Sequence, residues 1–144
     1  DMAAALGSDT AFFIENKTQL CTGRGEVMHP IAIDLQGLWL VVIKPPFGVS
    51  TAEAYSGVRP AVPARSLMER LSDDRSTWQA QIVNGFEPHI FAAHPRLAEL
   101  KQTLLDAGAL YAAMSGSGSA LFGLFENKPN VLFDDDIFVH IQQL

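Results

Sequence analysis

Asp9 stands between a helix-ending Gly7 and an apolar stretch that opens at Ala11, with Ser8 and Thr10 on either side. A carboxylate on such a turn can accept a proton from a bound hydroxyl, the base role that phosphoryl transfer to an alcohol needs. It can equally bond its own backbone, as turn aspartates do. A second group of residues lies at Gly116-Ser117-Gly118-Ser119-Ala120. Small side chains let backbone N–H groups approach a ligand closely, and successive exposed N–H groups bind phosphate oxygens. The segment lacks the Gly-Lys-Ser/Thr ending of a Walker loop and the spacing of a dinucleotide fingerprint. The alternative is a plain strand-connecting turn, although so many small residues exceed what a hairpin needs.

Thr22-Gly23-Arg24-Gly25-Glu26 offers an arginine that can face a phosphate and a glutamate that can pair with it, or else a bend that ends a strand. Tyr55, in Ser50-Thr51-Ala52-Glu53-Ala54-Tyr55, falls at the start of a helix after the Pro45-Pro46 break. There its ring can stack on a base or simply pack. His29, His89, His94 and His140 lack metal-ligand spacing and are expected to be structural or solvent-facing; no metal site is expected.

The elements that must position these residues follow from periodicity. Thr10 to Glu15 and Thr18 to Thr22 predict two strands joined by a tight turn at Asn16-Lys17. Trp39 to Lys44 is a continuous apolar run stopped by Pro45-Pro46, as expected of a central strand buried on both faces. Leu67, Met68 and Leu71 form a short stripe, and Ser76 is a candidate cap for a helix whose inner face holds Trp78 and Ile82. Pro95 to Ala107 has the strongest helical pattern, with proline in the first turn, Leu97, Leu100 and Leu104 on one face, and Gly108 after it. Leu110 to Met114, Ala120 to Phe125 and Ile137 to Ile141 complete the set of strands. This order predicts an α+β sandwich, with helices against one face of a mostly antiparallel sheet.

Composition bounds the function. The 144 residues carry 10 Lys+Arg against 16 Asp+Glu, a net charge of −6 without any basic run, which argues against DNA or RNA as partner. With 48% hydrophobic and 18% charged residues, the material for the core of one ordinary domain is present and general disorder is excluded. The longest apolar run, Leu38 to Ile43, is strand-sized and far short of the ~18 residues of a membrane helix. The single cysteine, Cys21, fits a reducing compartment, so a cytoplasmic location is expected. The chain opens at Asp1 on Met2-Ala3-Ala4-Ala5-Leu6, which resembles the tail of a helix, and a piece of a longer protein is expected.

Five motifs in order resemble one family: Leu6-Gly7-Ser8-Asp9 before Phe12-Phe13; Thr22 to Glu26; Gly48-Val49-Ser50-Thr51-Ala52-Glu53-Ala54-Tyr55; Asn84-Gly85-Phe86-Glu87-Pro88; and Ala107-Gly108-Ala109 leading to Met114-Ser115 and the glycine loop. They are similar to those of the 4-diphosphocytidyl-2-C-methyl-D-erythritol kinases of non-mevalonate isoprenoid (terpenoid) biosynthesis, in the superfamily of galactose, homoserine, mevalonate and phosphomevalonate kinases. The resemblance runs from about Leu6 to the C-terminus.

The resemblance implies that Asp9 is the catalytic base on the 2-hydroxyl of the substrate. It implies that Gly116, Ser117, Gly118 and Ser119 belong to the third glycine-rich motif beside the active site. Tyr55 falls where the family sets an aromatic ring against cytosine, and Thr51 lies on the same substrate-facing segment. ATP and Mg²⁺ are the implied cofactors, held mainly by an N-terminal half whose ATP loop and supporting lysine would lie upstream of Asp1. Residues 1–30 are then the tail of the N-terminal kinase domain with connecting strands. Residues 31–144 form a ferredoxin-like C-terminal domain, and the chain alone should not transfer phosphate. The helix that many members place after the third motif is expected to be shortened to Glu126-Asn127-Lys128-Pro129-Asn130. The alternatives are a mevalonate or homoserine type of kinase, and a non-catalytic ferredoxin-like binding module.

Overall fold

A computed structural model describes Phe12, residues 17–23, Gly25 and residues 27–144. Asp9 and Gly7 lie outside these residues, as do Arg24, Glu26 and the strand expected over Thr10 to Glu15, save Phe12, which is helical. The chain divides into two units, residues 1–34 and 35–144.

In the first unit, β1 (Gln19–Thr22) pairs antiparallel with β2 (Val27–Pro30), with Thr22 opposite Val27. The two strands form a hairpin, and the Gly25 N–H bonds to the Thr22 carbonyl at 3.1 Å. The partner strand β2 was not expected from sequence. It is short, ends in proline and is largely exposed, so it carries little of the alternation that marks a strand.

The second unit is a four-stranded antiparallel sheet with helices between its first two strands. The strands are β3 (Trp39–Lys44), β4 (Tyr111–Met114), β5 (Leu121–Phe125) and β6 (Phe138–Gln143), in the spatial order β4-β5-β3-β6. That is the ferredoxin-like order, with both neighbours of β3 antiparallel to it. Five helices precede β4: α1 (Thr51–Ser56), α2 (Leu67–Leu71), α3 (Trp78–Gln81), α4 (Glu87–Ala93) and α5 (Pro95–Asp106). Leu97, Leu100 and Leu104 of α5 and Ile90 of α4 are buried in one cluster with Val41, Ile43, Ala112, Met114, Leu121 and Phe125 of the sheet. The register explains this. Val41 faces Gly123 and Ile43 faces Leu121, while Ala112 and Met114 stand opposite the same two residues, so one face of the three strands points at the helices.

Several details differ from expectation. β3 is central but not buried on both faces: Val41 and Ile43 are fully buried whereas Leu40 and Val42 remain half-buried. The helices pack on only one face, and strand alternation leaves the other residues more open. The turn before α3 is capped by Asp74, which accepts the Ser76 N–H at 2.9 Å, not by Ser76 itself. A 3-10 turn over Arg75–Thr77 precedes α3 and moves the cap upstream. Between β5 and β6 no helix forms, not even the shortened one over Glu126 to Asn130. Pro129 removes a donor there, and Val131 and Phe133 pack against the core instead.

Candidate functional site

The glycine-rich segment joins β4 to β5. The Ser115 N–H bonds to the Ala120 carbonyl at 2.8 Å, and the Gly118 N–H turns back to the Ser115 carbonyl at 3.0 Å. Gly118 has a φ of 89°, and a Cβ there would stand 2.7 Å from Met114 Sδ, so any other residue would be strained there and would push the Met114 side chain aside. Among the described residues, the N–H groups of Gly116, Ser117 and Ser119 bond to no acceptor, which leaves three donors in one short loop. Of these residues Ser119 is buried, and Gly116 and Ser117 are the open ones whose backbone donors could meet a phosphate oxygen. Ser119 itself is 2% exposed, and its hydroxyl donates to the Phe47 carbonyl. That hydroxyl anchors the loop to the chain after β3, so of the two loop serines Ser117 is the more open.

The loop is held from below by the turn before α4. Asn84 Nδ2 donates to the carbonyls of Met114 and Gly116, each at 2.8 Å, while its Oδ1 accepts the Phe86 N–H at 2.9 Å. Glu87, 7% exposed, accepts the Met114 N–H on Oε1 at 2.7 Å and pairs with Lys101 Nζ through Oε2 at 2.6 Å. Asn84 and Glu87 had no assigned role in the sequence, although both fall in the Asn84 to Pro88 motif. An Asn-Gly pair signals a turn. It does not signal which carbonyls 30 residues away the amide will meet.

Tyr55 and Thr51 lie one turn apart on α1 and so share a face. Tyr55 is the fifth residue of the helix, close to its end rather than its start, because Ser50 caps it by accepting the Glu53 N–H at 3.1 Å. Its ring is 65% exposed and rests edge-on against Phe86, with centroids 5.0 Å apart and planes at 74°. An aromatic this open, seated on a second aromatic, has a face free for a planar ligand. A groove of about 440 Å³ is lined by Val58, Arg59, Pro60, Pro63, Val83 and Gly85.

Tyr55 and the loop thus both rest on one short turn: Phe86 supports the ring and Asn84 the loop. His94 belongs to the same scaffold. Its Nε2 lies 2.7 Å from Glu53 Oε1 of α1, and its ring stacks on Phe47 at 5.7 Å. His89 Nε2 lies 3.4 Å from Ser56 Oγ. Both histidines are structural here. Among the described residues no three His, Cys, Asp or Glu side chains gather to hold a metal ion, and no helix is long and apolar enough to cross a membrane.

Residues 60–132 match the family model for the C-terminal domain of GHMP kinases. Over 137 residues, 95% of its length, the chain is 44% identical to a 4-diphosphocytidyl-2-C-methyl-D-erythritol kinase of Parabacteroides distasonis. Over 133 residues it is 46% identical to the kinase of the same name from Porphyromonas gingivalis. It covers 50% and 48% of these relatives and so spans about half the length of the curated relatives it matches. A crystal structure of 4-(cytidine 5'-diphospho)-2C-methyl-D-erythritol kinase superposes with a TM-score of 0.65 at 30% identity, over 86% of this chain and 47% of that one. A homoserine kinase from Cytophaga hutchinsonii, at 18% identity and a TM-score of 0.57 over 82% of this chain and 45% of its own, shares the fold.

Proposed function

The chain belongs to the GHMP kinase C-terminal family, and we propose that it is the substrate-side half of an ATP-dependent kinase acting on 4-diphosphocytidyl-2-C-methyl-D-erythritol. The observation that carries this is the pairing of an open loop of backbone donors with the exposed ring of Tyr55, both held by the turn at Asn84. A nucleotide-like substrate needs both: a flat surface for its base and donors for its phosphates.

In the reaction, the substrate 2-hydroxyl gives its proton to Asp9 and its oxygen attacks the γ-phosphorus of ATP, with ADP leaving. Tyr55 stacks the cytosine, Thr51 lines the same face, and the Gly116 to Ser119 loop meets phosphate oxygen through the N–H groups of Gly116 and Ser117. Positioning and charge neutralisation dominate such transfers. Here the described residues supply backbone donors, and Mg²⁺ would be held, with the nucleotide, mainly by the N-terminal half that the family resemblance implies. The chain alone is expected to be inactive, and its charge and single cysteine suit a cytoplasmic enzyme without a nucleic-acid partner.

The test is ADP release by the full-length gene product that contains this chain, measured with and without 4-diphosphocytidyl-2-C-methyl-D-erythritol. Release that depends on this substrate, and that falls ~100- to 10,000-fold on Asp9→Asn, supports the assignment. Equal release with homoserine or mevalonate moves it to another substrate, and undiminished turnover in Asp9→Asn removes Asp9 as base.

A further inference from the structure

We propose that Asn84 is a positioning residue that holds both ends of the candidate site, the phosphate-binding loop and the aromatic platform, in one geometry. A primary amide has two N–H donors and one carbonyl acceptor, and Asn84 uses all three. Its Nδ2 reaches the Met114 and Gly116 carbonyls at 2.8 Å each, and its Oδ1 receives the Phe86 N–H at 2.9 Å. The two carbonyls lie where the β4–β5 ladder stops, since Met114 and Leu121 are its last pair and the chain beyond must turn. Carbonyls at such a point need partners from outside the ladder. Phe86, whose N–H the same amide holds, is the ring on which Tyr55 rests edge-on at 5.0 Å.

One side chain therefore fixes the loop backbone with its nitrogen and the seat of Tyr55 with its oxygen. The inference rests on the proposed function, which assigns the loop to phosphate and Tyr55 to the base. Asn84 touches neither substrate nor reacting atoms in that scheme. It acts through the loop and through Phe86, so the two halves of its role can be cut separately.

Asn84→Asp keeps an oxygen for the Phe86 N–H but turns lone pairs, not donors, toward both carbonyls. Phe86→Ala removes the seat of the ring and leaves the amide clamp. In the full-length protein, Asn84→Asp is expected to lower kcat ~100-fold, the effect of displacing a site by about 1 Å, with KM for the cytidyl substrate nearly unchanged. Phe86→Ala is expected to raise that KM ~10-fold, about one aromatic contact's worth of binding, with kcat nearly unchanged. A loss of folded protein would move kcat in both variants and KM in neither.

Amide hydrogen exchange over residues 115–120 reads the clamp without any turnover, and it is expected to accelerate in Asn84→Asp and not in Phe86→Ala. Wild-type kcat in Asn84→Asp, or a fall of kcat alone in both variants, overturns the inference. If the wild type does not turn over this substrate, the functional proposal fails on its own, and unchanged loop exchange in Asn84→Asp then overturns the clamp as well. Should Asn84→Asp not fold, Asn84→Ser, which offers one donor instead of two and adds no charge, is scored by the same criteria.

Discussion

Lys101 of α5 and Glu87, the first residue of α4, meet at 2.6 Å with only 16% and 9% of their side chains exposed. The other oxygen of Glu87 accepts the Met114 N–H at 2.7 Å, so the pair ties two helices to the last residue of β4, where the glycine loop begins. A buried carboxylate is tolerated only with its partners in place. Lys101→Met should leave that charge unpaired and cost ~3 kcal/mol or more. Adding Glu87→Gln, which keeps an oxygen for the Met114 N–H, should restore more than half of the loss. Urea unfolding of the two variants and their combination checks this. A cost below ~1 kcal/mol for Lys101→Met would place the pair among surface ion pairs.

Tyr55 offers a contrast, because its ring is 65% exposed and contributes little to the core. Tyr55→Ala should leave the thermal midpoint of the full-length protein nearly unchanged while raising KM for the cytidyl substrate ~10-fold or more, as loss of one base-stacking ring implies. Tyr55→Phe should behave as wild type, since the flat face is kept and only the hydroxyl is lost. Steady-state kinetics on the three proteins decides it. An unchanged KM in Tyr55→Ala would mean that the ring only packs on Phe86.

How far sequence reached depends on the distance over which each contact acts. Leu97, Leu100 and Leu104 mark α5 by local spacing, and all three are buried in the structure. Trp39 to Lys44 and the loop from Ser115 to Ala120 likewise stood out by composition alone, and β3, β4 and β5 bound them as expected. By contrast, α4 escaped notice: Ile90 is its only buried hydrophobic residue, and in seven residues no apolar period can build. The clamp by Asn84 spans 30 and 32 residues, and the pairing of Glu87 with Lys101 spans 14. Nothing local in Asn-Gly-Phe-Glu-Pro announces partners so remote. Only the resemblance singled out that segment, and only the structure gives it a physical task.

Gly57 closes α1 at a φ of −106°, a conformation that any residue adopts, so its need for glycine is one of space. A Cβ at this position would stand 2.0 Å from His89 Cγ. Gly57→Ala should therefore destabilise by ~1–3 kcal/mol, the usual cost of overpacking. Combining it with His89→Ala should cost less than the sum of the two single changes, because the ring that collides is gone. A double-mutant cycle by chemical denaturation measures the coupling, and strict additivity would show that the backbone, not the imidazole, disfavours alanine.

Tyr111 is expected to make the fold's stability depend on alkaline pH. Its ring, 8% exposed, packs edge-on against Phe122 at 5.8 Å, and burial, helped by the negative charge of Glu87, pushes its pKa up to about 12 from an ordinary 10. The folded state therefore holds the phenol proton more tightly than the unfolded state does. Its contribution to stability is whole below the unfolded pKa and is lost as pH rises through the folded one, a window from about 10 to about 12. Tyr111→Phe keeps the ring and removes the titration, so its stability should fall less steeply than that of the wild type across this window. Below pH 9 the two pH profiles should run parallel. Unfolding midpoints at closely spaced alkaline pH values provide the comparison, and equal slopes for the two proteins would mean that the Tyr111 hydroxyl is hydrated in the folded state.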